Sequence, residues 1–266
     1  MNQKKPSFRQ QVNDELAADG GPLNVAELAR RLFSDLPEEA AKRRVRNAVD
    51  SDNSDVVRVG RATYDLLVHR LEGAHFRYRV SPCEYMAGLL YVAQDLSCVF
   101  RGFKRSESES SGFTVCDDEG REIEAKMIMR SGPWPPHVTR PISLYRKYHM
   151  LAGLDPFYAK HQLTPDDDVI ITVESVHPPR YRLSVEKPGS RNEEGIRAAD
   201  DDLVETCHCI LKYTRQAPAG FLTQRAVGLH DFRQRPIPHL PMLLLPKDPR
   251  FIYFISRNAT ISASTC

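Results

Sequence analysis

The sequence predicts an α+β protein with helices and a β-hairpin in its first quarter, a larger β-rich region in the middle, and helices and a proline-rich tail at its end. Three observations predict this order. Apolar residues recur at helical spacing through roughly the first fifty residues, at a spacing of two over much of the middle region, and at helical spacing again after residue 200.

Composition and charge limit the function classes. The chain carries 37 Lys and Arg against 35 Asp and Glu, a formal net charge of +2. Any contact with nucleic acid must therefore come from a local patch and not from bulk charge. No apolar run is long enough to cross a bilayer, the basic start of the chain does not resemble a signal peptide, and the six cysteines contain no CxxC pair.

These features predict a protein without a membrane partner, a metal or a cofactor. We expect it to be cytoplasmic and associated with the nucleoid, or nuclear if the source is eukaryotic.

Three helices and a hairpin are predicted between residues 8 and 69. Their expected bounds are 8–19, 25–33, 37–50, 56–59 and 62–67. Asn24 is a suitable N-cap for the second helix, with Glu27 as its capping-box partner. We expect this segment to fold independently around a core formed by Leu16, Leu28, Leu32, Val45, Val49 and Val57.

This order of elements is that of a winged helix, a helix-turn-helix variant with a β-hairpin wing. The segments GGPLNVAELARRL (Gly20–Leu32) and VVRVGRATYDL (Val56–Leu66) resemble the HARE-HTH family, a winged-helix module of chromatin-associated proteins that is also fused to restriction endonucleases. The resemblance implies a role on DNA. The recognition helix of the family commonly follows Thr-Pro, whereas here it follows Leu36-Pro37.

The third predicted helix has a polar face opposite its apolar stripe. Arg43, Arg46, Asn47 and Asp50 lie at positions i, i+3, i+4 and i+7. Arginine pairs bidentately with guanine and asparagine with adenine, so this face is suited to the major groove. Further phosphate or groove contacts are expected from Lys42 and Arg44 beside that face and from Arg58 and Arg61 on the wing.

A protein-binding role for the same module stays open. Basic residues of the third helix are placed to pair with Glu38 and Glu39 across one turn. Residues 1–72 also contain as many acidic as basic side chains. A partner protein, or a second copy of the chain, could then occupy this surface.

The middle region predicts a small barrel or pseudobarrel, because many short strands follow one another. The expected strands are 88–92, 98–104, 113–116, 122–129, 169–174 and 180–186, with helices at 144–151 and 156–160. The segment Leu163–Asp168 (LTPDDD) leads into an apolar strand and resembles the DNA-binding pseudobarrel of plant B3 domains and restriction-enzyme effector domains.

That second resemblance implies a concave DNA-binding face flanked by loops. Its phosphate contacts would come from Arg101, Lys104, Arg105, Arg146 and Lys147. Trp134 could stack on a base or lie in the core. Residues 188–202 are expected to be a linker, followed by helices at 203–213 and 221–232 and an extended tail after Arg235. The domains are then 1–72, 73–190 and 191–266.

Two patterns contain residue types that bind metal ions. Asp118 with Glu124 and Lys126 has the form of a metal-dependent nuclease site, but Asp118 falls in a predicted turn. Cys207 and Cys209 flank His208 on a predicted helix. Successive helical residues point about 100° apart and cannot share one metal ion.

Three functions are therefore compared. The preferred one is a DNA-binding protein without catalysis that reads double-stranded DNA, modified DNA included, as a transcription regulator or as the specificity part of a defence or restriction system. The alternatives are a metal-dependent nuclease and a protein-interaction adaptor.

Overall fold

The computed structural model describes residues 6–49, 55–92, 94–100, 112–132, 146–254 and 260–263. The protein is α+β, as predicted. The chain divides into two units. The first contains Met1–Glu72 and Gln224–Asp231, and the second contains Gly73–Thr223 and Phe232–Cys266. No helix in the described ranges is both long and apolar enough to cross a membrane.

The first unit has the predicted order of three helices followed by a hairpin. Its elements are α1 (Phe8–Asp19), β1 (Leu23–Asn24), α2 (Val25–Leu32), α3 (Glu38–Val49), β2 (Val56–Gly60), β3 (Thr63–Leu66) and α4 (Leu67–Leu71). The strands form one sheet in the order β1-β3-β2. The short strand β1 and the helix α4 were not predicted.

Side-chain caps define where these helices begin and end. The Asn24 side chain accepts a hydrogen bond from the backbone N–H of Glu27 at 2.9 Å, as its predicted N-cap role requires. The Glu27 carboxylate instead accepts hydrogen bonds from Arg30 and Arg31, so the reciprocal half of the predicted capping box is wrong. Helix α1 ends at Gly20, whose φ of 74° is readily adopted only without a side chain.

The core of the first unit matches four of its six predicted residues. Leu16, Leu28, Val45 and Val49 are buried between the helices and the sheet. Leu32 is only partly buried and packs against this core. Val57 is fully buried but lies outside it, because successive residues of a strand face opposite sides and Val56 already faces the helices.

The second unit contains two main sheets. Its strands are β4 (His75–Arg79), β5 (Leu89–Val92), β6 (Thr114–Cys116), β7 (Glu122–Ile123), β8 (Lys126–Gly132), β9 (Arg146–Ala152), β10 (Asp168–Val176), β11 (Pro179–Glu186), β12 (Gln216–Pro218), β13 (Phe251–Phe254) and β14 (Thr260–Ala263). The main sheets have the strand orders β4-β10-β11-β6-β7 and β5-β9-β8. Within the described ranges neither sheet closes on itself, so the prediction of a small closed barrel is wrong.

The helices of the second unit differ from the predicted ones in several places. They are α5 (Pro82–Met86), α6 (Asp155–Lys160), α7 (Glu193–Thr214) and α9 (Pro241–Leu244), together with the first residues of α8 (Ala219–Leu229), which belongs to the first unit from Gln224 onward. Helix α7 extends into the predicted linker because Asn192 is its N-cap. The Asn192 side chain accepts a hydrogen bond from the backbone N–H of Gly195. Helix α9 lies in the predicted extended tail. Proline is tolerated there because Pro241 stands at the first turn, where its missing N–H has no helical partner.

Three predictions for the β-rich region are also corrected. The predicted helix at 144–151 is wrong, because Arg146–Ala152 is strand β9 and pairs with both β5 and β8. Cys98, the first residue of the predicted strand 98–104, ends a 3-10 helix (Gln94–Cys98), and residues 101–104 of that prediction lie outside the described residues. The predicted strand 122–129 is two strands, β7 and β8, which belong to different sheets.

A buried ionic network links three strands of the larger sheet. The guanidinium of Arg77 is 1% exposed and donates to Asp168 at 2.7 Å and to the carbonyl of Ile237 at 2.8 Å. It also pairs with Glu186 at 2.6 Å. Arg79 and Arg191 approach the same Asp168 carboxylate at 2.9 and 3.1 Å. Such a network is stable only when each charge has partners, and here the arginines supply them.

Asp95 is a buried carboxylate with few polar partners. It accepts hydrogen bonds from the Thr223 hydroxyl at 3.0 Å and from the Met242 N–H at 2.7 Å. Burial nevertheless raises the pKa of Asp95 to about 7, because the two hydrogen bonds only partly offset the loss of water.

The pKa of Asp95 predicts a pH-dependent stability. In the folded state Asp95 holds a proton that it releases in the unfolded chain at its ordinary pKa of 3.8, so Asp95 destabilises the fold progressively as the pH rises from about 4 to 7. Urea unfolding of Asp95→Asn should show a smaller decline over this range than wild type. The exposed Asp201→Asn variant is the control, and equal declines in all three proteins would contradict the assignment.

Candidate nucleic-acid interface

Helix α3 presents a polar face opposite a buried stripe. Ala41, Val45 and Val49 are at most 2% exposed, whereas Arg43, Arg46 and Asn47 are exposed. At about 100° per residue, the second group faces away from the first. Among the described residues, none forms a hydrogen bond or ion pair with these three side chains. The face therefore carries two guanidinium groups and one amide that are available to a ligand.

Lys42 lies beside this face and is already paired. Its ammonium is 2.5 Å from Glu38 and 3.1 Å from Glu39, and its side chain is only 18% exposed. The hydrogen bond to Glu38, followed by that to Glu39, raises the pKa of Lys42. A phosphate contact from Lys42 would have to replace one of these carboxylates.

Arg44 lies against aromatic rings on the other side of α3. Its guanidinium carbon is 5.0 Å from the centroid of Phe8 and 5.8 Å from that of Phe33. The two rings meet edge to face at 5.3 Å. These distances fit a cation–π interaction, which orients Arg44 towards α1.

The wing carries two exposed arginines. Arg58 lies on β2 and its Nε donates to the carbonyl of Gly60 at 2.9 Å. The strand pairing is irregular between Arg58 and Gly60. Arg61 stands in the turn, immediately before Ala62, whose φ is 59°. The hairpin therefore holds Arg58 against its own backbone and presents Arg61 at its tip.

The predicted contacts of the β-rich region are only partly described. Arg101, Lys104, Arg105 and Trp134 lie outside the described residues. Arg146 and Lys147 are not in a helix or loop as predicted. They begin strand β9 and pair with Gly132 and Ser131.

Among the described residues, the three nuclease candidates do not form one cluster. Asp118 lies in the turn between β6 and β7, where it approaches Lys160 at 3.2 Å and His161 at 3.3 Å. The Lys160 ammonium also holds the pKa of neighbouring Asp117 well below its usual range. Glu124 is exposed between two strands and Lys126 begins β8 in another sheet. Asp118 is therefore engaged by the Lys160 ammonium at the turn.

The two neighbouring cysteines of α7 have different surroundings. Cys207 is buried, and burial raises the pKa of its thiol. Cys209 is exposed, with its sulfur 3.8 Å from a Glu205 oxygen. Over the described ranges, no group of three or more His, Cys, Asp or Glu side chains is arranged to hold a metal ion.

One feature of the first unit had no sequence signal. Residues Gln224–Asp231 belong to this unit although they follow it by about 150 positions in the chain. Only an observation of long-range contacts could have found them, because local periodicity shows no more than a short helix there.

The comparison with solved structures gives a weak likeness. No family model matches the chain, and no curated protein matches it. Among solved structures, a chain of the Arabidopsis FUS3–DNA complex is similar with 11% identity and a TM-score of 0.29, over 42% of this chain and 95% of that chain. At that TM-score the likeness carries no argument about fold or function.

We expect purified protein to contain no stoichiometric zinc. A buried thiol with a raised pKa resists the deprotonation that zinc ligation needs, and Cys209 points elsewhere on the helix. Elemental analysis is the measurement. Zinc near one equivalent that disappears in a Cys207→Ser, Cys209→Ser variant would contradict this prediction.

We also expect no DNA cleavage by the protein alone. Asp118 is paired with Lys160, while Glu124 and Lys126 stand at the boundary of two sheets. The measurement is incubation of supercoiled plasmid with Mg²⁺ or Mn²⁺, with Glu124→Ala as the matched variant. Nicking by wild type that the variant lacks would bring the nuclease hypothesis forward.

Proposed function

We propose that the protein binds double-stranded DNA through the exposed face of α3. The observation that carries the proposal is the orientation of Arg43, Arg46 and Asn47. They are exposed, lie opposite a fully buried stripe, and have no described partner. A helix fits the major groove, where such side chains meet base edges.

The chemistry of this face indicates direct readout. Each guanidinium can donate two hydrogen bonds to guanine O6 and N7, and the Asn47 amide can pair with adenine N6 and N7. A good bidentate pair contributes about 1–3 kcal/mol of discrimination against the wrong base. The expected target therefore includes both guanine and adenine within one major-groove segment.

The wing supplies a second set of contacts in this proposal. Arg58 and Arg61 are exposed at one end of the hairpin, in reach of a phosphate backbone or a minor groove. Because residues 1–72 have no net positive charge, these local groups must provide the electrostatic attraction. We infer an interface with few phosphate contacts.

The proposal also includes a biological setting. The HARE-HTH resemblance supports a role on chromosomal or invading DNA, as a transcription regulator or as the specificity part of a defence or restriction system. Reading of modified bases is compatible with either setting. The chain itself is proposed to act without catalysis.

An interaction adaptor is the second candidate. Two observations favour it: Lys42 is already neutralised by Glu38 and Glu39, and Phe8 is 47% exposed beside Arg44. Exposed aromatic and arginine side chains are typical of protein interfaces. In this role α3 would contact a partner chain.

The proposal is tested with an Arg43→Ala, Arg46→Ala double variant. Removing two base-contacting arginines should weaken binding to a preferred duplex by about 2–6 kcal/mol and relax its sequence preference. Folding should be unchanged because neither side chain is in the core. Fluorescence titrations at two salt concentrations provide the affinities and the salt dependence.

Two single variants control for charge. Arg30→Ala removes an exposed guanidinium from α2 that is paired with Glu27, and should leave binding nearly unchanged. Arg44→Ala should weaken binding to all duplexes alike and reduce the salt slope by about one. Equal affinity of wild type and the double variant at both salt concentrations would exclude α3 from the interface and favour the adaptor.

A further inference from the structure

The hairpin of the first unit is buried on both of its faces. Val56 and Leu66 form a cross-strand pair that faces the three-helix core. Val57 and Asp65 form the next pair and therefore face the opposite side. They are 0% and 4% exposed. A second element must cover this side, since α1, α2 and α3 lie on the first.

The late segment of the chain provides this cover at Gly228. A methyl group placed on Gly228 would lie 2.4 Å from the carbonyl oxygen of Arg58 and 3.1 Å from Cβ of Val57. The first distance is shorter than real Cβ contacts, and the second is tighter than most of them. Since the nearer clash is with backbone, no side-chain rotation relieves it. Helix α8 therefore lies directly on strand β2, and only glycine permits the approach.

The contact point is also the base of the wing. Arg58 contributes the carbonyl oxygen that Gly228 approaches, and its side chain donates to Gly60 at 2.9 Å. Arg61 follows at the tip of the same hairpin. A shift of β2 away from α8 would therefore move both arginines together.

We propose that Gly228 is a positioning residue for DNA binding, because it lets α8 fix the hairpin and with it Arg58 and Arg61. The proposal rests on the proposed function for the DNA step. Alanine is normally a better helix former than glycine. A loss of hairpin protection or of DNA affinity in Gly228→Ala would therefore be opposite to the effect of helix propensity, and would report the close approach of α8 to β2.

The experiment compares Gly228→Ala with Gly21→Ala in the full chain. Gly21 belongs to the same unit and has no neighbour within 4 Å of an added methyl group, so its replacement should have no effect. Amide hydrogen exchange over residues 56–66 measures the hairpin. We expect faster exchange in Gly228→Ala than in wild type or Gly21→Ala.

The DNA step is measured with a mixed-sequence duplex at several salt concentrations. We expect Gly228→Ala to lower affinity by about three- to tenfold and to flatten the salt slope by up to about two, as an Arg58→Ala, Arg61→Ala variant does. Adding Gly228→Ala to that double variant should cause no further loss. If Gly228→Ala acted through a general loss of stability, its loss of affinity would instead add to that of the double variant.

Each contrary result has its own meaning. Unchanged hairpin exchange shows that Gly228 does not fix the wing, and additive losses or an unchanged salt slope show that it does not act through the arginines. If wild type binds no duplex, the proposed function fails and the DNA role of Gly228 fails with it, while hydrogen exchange still decides whether Gly228 fixes the hairpin.

If Gly228→Ala does not fold, nuclear Overhauser contacts between Gly228 Hα and Val57 methyl protons in wild type decide the packing, and their absence overturns the proposal.

Discussion

The candidate interface depends on the burial of one side of α3. Ala41, Val45 and Val49 are almost completely removed from water, which fixes the rotation of the helix about its axis. Any other rotation would expose this stripe and bury a guanidinium without a partner, and both changes are unfavourable. The outward direction of Arg43 and Arg46 is therefore a consequence of core packing, and it would hold whether the ligand is DNA or protein.

The two units are stabilised by different means. The first relies on apolar packing, with helix caps such as Asn24 and a hairpin enclosed on both faces. The second places charge in its interior, where Arg77 pairs with Asp168 and Glu186 and where Arg79 and Arg191 also approach Asp168. Asp95 is a further buried acid, and burial raises its pKa. None of these groups belongs to the candidate interface, so they support the fold and not the proposed binding.

The sequence was sufficient where local signals decide the structure. Helical spacing and the N-cap at Asn24 predicted the helices of the first unit, and the Gly60-Arg61 turn predicted the hairpin. The sequence was insufficient where contacts between residues far apart in the chain decide the structure. Residues 146–152 look helical in isolation, yet they form a strand because β5 and β8 pair with them on either side. The burial of Val57 by residues that follow it by about 170 positions is likewise invisible to periodicity. The pairing of Lys42 with Glu38 was foreseen as an option, because charges one helical turn apart are a local signal.

The most direct test of the DNA-binding claim observes the side chains themselves. A nuclear magnetic resonance titration of the full chain with duplex DNA follows the side-chain amide of Asn47 and the Nε–H groups of Arg43 and Arg46. The exposed amide of Gln10 on α1, which donates to Asp14 at 2.8 Å, is the reference. If α3 enters the major groove, the three α3 signals shift or broaden at the first additions while the Gln10 signal stays unchanged. Unchanged α3 signals at saturating duplex would contradict this claim.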